Sequence, residues 1–406
     1  MRLKAYTVDV NYATVQRYAV RHSTANVKAK MAAVIERLQK SARDNPLAAV
    51  AAAATAAVAA PAVARGLKLT GAFLASLWTS KRHGRIDGYN DLHSKDSADD
   101  RNSEYAELVD SYYDMATEFY EWGWGTCFHF ADRRGRESFK QSLLRHEYYL
   151  ASQLALKAGD AVLDCGCGIG GPARNIARFT RAQVTGITIN QFQVDRGNAL
   201  CAQEGVAHLA KLVQGDFMAL PFKADSFDGV YAIEATCHAP DRAKCYGEIL
   251  RVLKPGATFA CYEWCLTDSY DGSERHKKLK KDIEVGDGLP DLCHTSVCTQ
   301  ALKDAGFEVV EARDCALDGL LDGGEPWHTP LTPSWNPLSW PRFQFNPVMF
   351  ALMPKILTAL ELIRLVPAGT SKTQVMLQAG GVGCADGGVT GAFTPMWLMV
   401  AKKPLK

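Results

Sequence analysis

The chain has 406 residues, with 46 Lys and Arg against 44 Asp and Glu, a formal net charge of +2, and 47% hydrophobic residues. This length and apolar share can bury a sizeable core and argue against disorder, and the near-balanced charge argues against nucleic acid or another bulk polyanion as partner. The 12 cysteines form no metal-ligand spacing and read as small core residues in a reducing compartment, so no metal and no disulfide framework is implied.

Residues 1–45 carry nine Lys and Arg against Asp9, Glu36 and Asp44. They lack the pattern of a secretory signal; a transit peptide stays an alternative. Residues 46–64 hold no charge, but twelve are alanine and Pro61 interrupts them. A second apolar patch, 69–78, ends at Lys81 and Arg82. The stretch reads as an amphipathic or re-entrant anchor in a membrane surface, or as a helix packed on the rest of the chain. We take residues 1–103 as an N-terminal helical and apolar extension, 104–320 as the catalytic core and 321–406 as a C-terminal region with a lid and the last strand.

In residues 111–130, eight of twenty are Tyr, Trp or Phe, interleaved with Glu118, Glu121 and His129. A buried helix explains the aromatics, but two Trp-Gly units in a row fit a helix poorly, and a pocket wall is the better account. Residues 137–156 read as a helix leading into a strand at 161–165. There Asp164 opens a glycine turn with Gly166, Gly168, Gly170 and Gly171, and a helix follows from 173. Such a turn lets backbone approach a ligand and offers helix N–H groups to a carboxylate or phosphate. It also satisfies the dinucleotide fingerprint, but the second strand (183–190) ends in Asn190 where a nicotinamide enzyme wants an acid.

Alternation continues with a helix at 190–204, a strand at 210–214, a strand at 227–233, a helix at 242–253 halted by Lys254-Pro-Gly-Ala257, and a strand at 258–264. A helix at 295–305 and strands at 307–311 and 393–401 complete a doubly wound, mostly parallel α/β sheet of seven strands, with ligands expected outside the carboxyl ends of the strands. Between 320 and 367, Trp327, Trp335 and Trp340 stand among prolines before an apolar helix at 348–365. That region reads as a lid or dimer surface for something large and apolar.

Asp164, the amide-ended second strand and Gly215-Asp216-Phe217 after the third strand suit S-adenosylmethionine. The loop amides would take its carboxylate, Asp164 its ammonium region, Thr188 or Asn190 its ribose, Asp216 the adenine amine, and Phe217 the face of the ring. The cofactor-binding set expected is Asp164, Gly166, Cys167, Gly168, Gly170, Thr188, Asn190, Gln191, Asp216, Phe217 and Glu234.

Four segments, Tyr120-Glu-Trp-Gly-Trp-Gly125, Leu163-Asp-Cys-Gly-Cys-Gly-Ile-Gly-Gly-Pro172, Ile233-Glu-Ala-Thr-Cys-His-Ala-Pro240 and Gly286-Asp-Gly-Leu-Pro290, resemble the signatures of the sterol 24-C-methyltransferases. The resemblance spans about 112–403 and implies a class I methyltransferase fold with a C-terminal cap specific to that family. It implies methyl transfer from S-adenosylmethionine to C24 of a Δ24 sterol, cycloartenol-type or related, in a homo-oligomer. Together with the apolar stretch, it implies the endoplasmic reticulum membrane or another intracellular membrane surface, with the core facing the cytosol. An alkene attacking the sulfonium methyl leaves a cation, which aromatic faces stabilise without trapping; Tyr120, Trp122, Trp124, Phe128 and Tyr231 are the expected rings. A base must then remove a proton, with Glu234 and His238 foremost and Glu121, His129, Glu263 and Asp287 as alternatives. Competing readings are a methyltransferase for a tocopherol, phosphobase or acyl alkene, a non-catalytic sterol-binding membrane protein, and a nicotinamide dehydrogenase.

Overall fold

Seven strands form one sheet: β1 Ala161–Cys165, β2 Gln183–Thr188, β3 Ala210–Gln214, β4 Phe227–Ile233, β5 Leu253–Leu266, β6 Glu308–Asp314 and β7 Phe393–Lys402, in the order β3-β2-β1-β4-β5-β7-β6. The structure, a computed structural model, describes residues 86–93, 102, 104–318, 323–336, 340–343 and 345–405. The chain divides into two units, Met1–Thr79 and Ser80–Lys406, and the described residues all belong to the second. The anchor expected within 46–79 therefore lies outside them. Strands β3 to β5 pair in parallel, and β7 runs antiparallel between β5 and β6. The central strands are buried along nearly their whole length, which is why they read as continuous apolar runs rather than alternating ones.

Ten helices of eight residues or more are present among the described residues: α1 Ile86–His93, α2 Tyr105–Gly123, α3 Phe139–Gln153, α4 Gly171–Thr180, α5 Gln191–Gln203, α6 Arg242–Val252, α7 Glu274–Asp287, α8 Thr295–Asp304, α9 Pro347–Leu362 and α10 Thr370–Thr390. Side chains fix several starts. Ser138 and Gln141 form a reciprocal capping box on α3, Asn190 caps α5 and Asp241 caps α6. Two apolar clusters cover the faces of the sheet: one holds Val184, Tyr262 and Leu398, the other Leu163, Val230 and Phe259.

Three features depart from the sequence reading. The aromatic stretch is both helix and wall: α2 runs to Gly123, and the second Trp-Gly unit lies in the loop beyond it. The Lys254-Pro-Gly-Ala segment does not separate α6 from a later strand. Pairing with β4 starts at Leu253 and slips at a bulge before Thr258, so β5 begins where the helix ends. Helices α7 and α10 are additional. Five glycines in α10 hide it from propensity, yet the helix is packed so closely that side chains would not fit. A Cβ on Gly380 would sit 2.9 Å from the backbone of Gly286 on α7, and one on Gly387 2.7 Å from Phe393. Among the described residues no helix is long and apolar enough to cross a membrane.

Candidate active site

Two cavities lie at the carboxyl end of the sheet. The first is walled by the glycine turn after β1, the ends of β2, β3 and β4, and Tyr105, Val109 and Tyr113 of α2. The turn is built for close approach: Gly166 has φ +90°, and a Cβ there would lie 2.3 Å from that of Ala235. The amides of Gly168 and Ile169, at the wall, have no acceptor among the described residues. They suit a carboxylate at the start of α4. Asp164 is buried and accepts from the Tyr231 hydroxyl at 3.0 Å. Burial raises its carboxyl to about 7 against that hydrogen bond, so an arriving ammonium would ionise it. Asp216 holds the Met218 amide with one oxygen at 2.7 Å, and the Tyr105 hydroxyl faces it at the same wall, where burial and Asp216 raise the phenol well above its ordinary range. Phe217 adds an apolar face. Acceptor, donors and ring fit the amino-acid and nucleoside ends of S-adenosylmethionine.

The second cavity is the aromatic chamber. Its walls are Tyr112, Tyr113, Phe119, Tyr120 and Trp122 of α2, the loop residues Trp124, Phe128, His129 and Phe130, Trp264 at the end of β5, Asp287 and Leu289 at the end of α7, and Leu377, Gln378, Gly381 and Cys384 of α10. Leu331, Phe345 and Phe350 of the C-terminal region close it. The two cavities share Tyr113, Phe128, His129, Glu234 and His238.

Polar groups at that shared wall are each held. Glu234 follows β4 in left-handed backbone (φ +53°), a strain that surrounding structure must maintain. One carboxylate oxygen accepts from the Phe130 amide at 2.7 Å and the other from the Trp264 indole at 2.8 Å. Burial raises Glu234 to about 7, partly offset by the His129 charge and these hydrogen bonds. His129 donates from both nitrogens, to the Phe130 carbonyl at 2.8 Å and Glu147 at 3.1 Å. Burial alone would lower its pKa, but the bond to Glu147 and the charges of Glu147 and Glu234 outweigh it and raise it above the ordinary imidazole value. His238 lies between the Tyr113 hydroxyl (2.9 Å) and the Gly288 carbonyl (3.0 Å), and burial lowers it to about 4. Asp287 accepts from Tyr120 at 3.2 Å and from the Cys384 thiol at 3.7 Å, and burial raises it to about 7.

Several expected residues lie elsewhere. Tyr231 is beneath Asp164, fully buried in the sheet rather than in the chamber. Glu121 faces outward into an ion pair with Arg196, one of its contacts at 3.0 Å. Glu263 is buried behind the wall, bonded to Thr236, Tyr246 and the Trp264 amide. Gln191 is exposed and pairs with Asp195. Asn190 spends its oxygen capping α5 and its amide on Asp110 (2.9 Å) and Asp114 (2.8 Å) of α2. Thr188 lines the cofactor cavity but donates to Gln193, and Cys167 lines it with a buried thiol. Gly170 caps α4. Sequence motifs alone do not mark Tyr105, Tyr113, Gln193 or Trp264 as wall residues. Tyr113 was legible, since it precedes Tyr120 by seven residues and so shares its helix face.

The chain matches the family models "Methyltransferase domain" over residues 163–261 and "Sterol methyltransferase C-terminal" over residues 341–405. It is 47% identical over 325 residues to cycloartenol-C-24-methyltransferase 1 of Oryza sativa subsp. japonica, covering 79% of this chain and 92% of that protein. It is 42% identical over 310 residues to sterol 24-C-methyltransferase of Kluyveromyces lactis, covering 75% of this chain and 83% of that one. Among solved structures, the cyclopropane synthase MmaA2 from Mycobacterium tuberculosis is similar with a TM-score of 0.54 at 14% identity, covering 73% of this chain and 98% of that one. The [4+2]-cyclase SpnF gives 0.53 at 24% identity, over 73% and 96%. Both likenesses carry the fold alone.

Proposed function

The chain belongs to the sterol 24-C-methyltransferase family, enzymes that methylate C24 of a sterol with S-adenosylmethionine, and from that premise we propose how its residues divide the work. The observation that carries the proposal is the wall shared by the two cavities, Tyr113, Phe128, His129, Glu234 and His238. S-adenosylmethionine supplies an electrophilic methyl group on a sulfonium. Gly168, Ile169, Asp164, Asp216, Phe217 and Tyr105 hold it on one side of that wall. The chamber takes the sterol side chain on the other and brings the Δ24 double bond against the methyl. Holding the two partners in contact removes much of the cost of their meeting, up to ~7–11 kcal/mol in well-oriented systems.

The faces of Tyr120, Trp122, Trp124 and Phe128 stabilise the sterol cation, each by about 0.5–2 kcal/mol, the upper figure when desolvated. Glu234 supplies the counter-charge. Its two hydrogen-bond donors fix its oxygens in place, and a neighbouring cation offsets the burial that otherwise favours its neutral form. Asp287, clasped by Tyr120 and Cys384, lends the chamber a polar group without a second full charge while it stays protonated.

The substrate is a cycloartenol-type Δ24 sterol, supported by 47–48% identity to plant cycloartenol enzymes against 41–44% to fungal relatives. The enzyme works at the endoplasmic reticulum or another intracellular membrane surface, its core toward the cytosol, as a homo-oligomer. A substrate insoluble in water and the apolar patches at 46–64 and 69–78 support the membrane location. Incubation with methyl-labelled S-adenosylmethionine and a panel of Δ24 sterols, tocopherols and phosphoethanolamine tests the reading. Label is expected in the C24-methylated sterol; label only in a polar or phenolic product would overturn it.

A further inference from the structure

We propose that Tyr113 accepts the last proton of the reaction, with His238 as the sink behind it. The proposal rests on the methyl-transfer reading above and assigns the base that the reading leaves open. A carbonyl oxygen has no hydrogen to give, so the His238 Nδ1 that faces the Gly288 carbonyl at 3.0 Å must carry the ring hydrogen. Nε2 then presents a lone pair, and the Tyr113 hydroxyl, 2.9 Å away, donates into it. The phenol oxygen keeps its acceptor capacity, and both side chains line both cavities.

In the deprotonation step, a C–H bond next to the side-chain cation breaks and its electron pair becomes the new double bond. The proton passes to the Tyr113 oxygen as the phenol's own proton moves to His238 Nε2. The products are a neutral alkene, a regenerated Tyr113 and a His238 imidazolium. Nδ1–H stays on Gly288, and the imidazolium gives its proton to water when product leaves. Burial, which holds free His238 to about 4, keeps it neutral beforehand and makes it quick to discharge afterwards. A weak base suffices, because a C–H beside a tertiary carbocation is strongly acidic.

The other groups at the wall suit this step less. His129 donates from both nitrogens, and the Phe130 amide and Trp264 indole pin the two Glu234 oxygens in place, which suits a fixed counter-charge. A carboxylate that closed onto the cation to take its proton could also capture it as an ester, so Glu234 acts from where its two donors hold it, as counter-charge and not as base. A phenol that loses one proton as it gains another never becomes an anion.

The test is Tyr113→Phe in the full-length protein, with S-adenosylmethionine and a Δ24 sterol deuterated at the side-chain carbons flanking the cation. The ring is retained, so cofactor affinity by calorimetry is expected within about 2-fold of wild type. Formation of the normal alkene is expected to fall by about 100-fold or more. Part of the methylated product should become a tertiary alcohol by water capture, and the isotope effect on alkene formation should rise. His238→Gln is expected to give the same product shift. Wild-type alkene formation by Tyr113→Phe with no alcohol and an unchanged isotope effect would overturn the proposal. So would loss of cofactor binding in both variants, which assigns the pair to holding that cavity, and so would appearance of the alcohol only in Glu234→Gln. Failure of the parent reading is separate: wild-type enzyme would then label no Δ24 sterol.

Discussion

Replacing Gly286 with alanine should loosen the sterol chamber and leave the cofactor cavity alone. A Cβ at Gly286 would lie 2.2 Å from both the nitrogen and the Cα of Gly380, and 3.0 Å from the Met376 carbonyl. These are backbone atoms of α10, so no side chain can swing away. Reaching an ordinary contact of 3.4 Å requires α7 and α10 to separate by about 3.4 − 2.2 = 1.2 Å. Asp287 is the next residue, and Cys384, its partner at 3.7 Å, is one helical turn beyond Gly380. The same separation therefore shifts a wall of the chamber and stretches that contact. Overpacking of this kind costs about 1–3 kcal/mol, a fall in Tm of roughly 1–4 °C for a unit of this size. Misplacement by about 1 Å can cost 100-fold in rate, so kcat/KM for the sterol should drop by one to two orders of magnitude. No residue of α7 or α10 lines the cofactor cavity; calorimetric affinity for S-adenosylmethionine should stay within about 2-fold. A variant with wild-type Tm and wild-type kcat/KM would refute the argument.

Glu234→Gln points an amide N–H₂ at either the Phe130 or the Trp264 donor. It should lose about 1–3 kcal/mol of stability and slow single-turnover methyl transfer by ~10²–10³-fold; a rate within 3-fold of wild type would count against the counter-charge role. Asp164, Glu234 and Asp287 are each raised to about 7 by burial. Their contribution to the stability of the ligand-free protein is thus complete below the unfolded carboxyl range of about 4 and lost as pH rises through about 7. S-adenosylmethionine favours the ionised forms of Asp164 and Glu234, so the Tm gain it gives should grow between about pH 6 and 8; a gain that shrinks over that window contradicts the reading. Asn190→Ala removes the α5 cap and both ties to α2. It should cost about 0.5–2 kcal/mol for the cap and speed hydrogen exchange in α2, with unchanged exchange there as the contrary result.

The sheet was legible because its strands are apolar runs closed by glycine or acid, and β3 and β4 fall on the residues expected, 210–214 and 227–233. Helix α10 was not, since glycine is read as a helix breaker when its neighbours are unseen. Gly380, Gly383 and Gly387 are small because Gly286, Ile283 and Phe393 crowd them, a reason that exists only in three dimensions. Site residues divide along the same line. Asp164, Asp216 and Glu234 sit at strand ends, where topology alone brings them to the wall of one cavity. The uses of Asn190 and Glu121 depend on partners on other helices, Asp110, Asp114 and Arg196, which no local pattern pairs with them.

Helix α2 is a wall of both cavities, and Asn190, Gln193 and Arg196 of the α5 region are bonded to it. On the division of residues proposed above, donor and acceptor would settle against opposite ends of one helix, and whatever free energy one contributes to seating it would be felt equally by the other. A compound designed to fill only the apolar side should accordingly look more potent when the demethylated nucleoside is left in place, and potencies measured without it would rank a series by the wrong state of the enzyme.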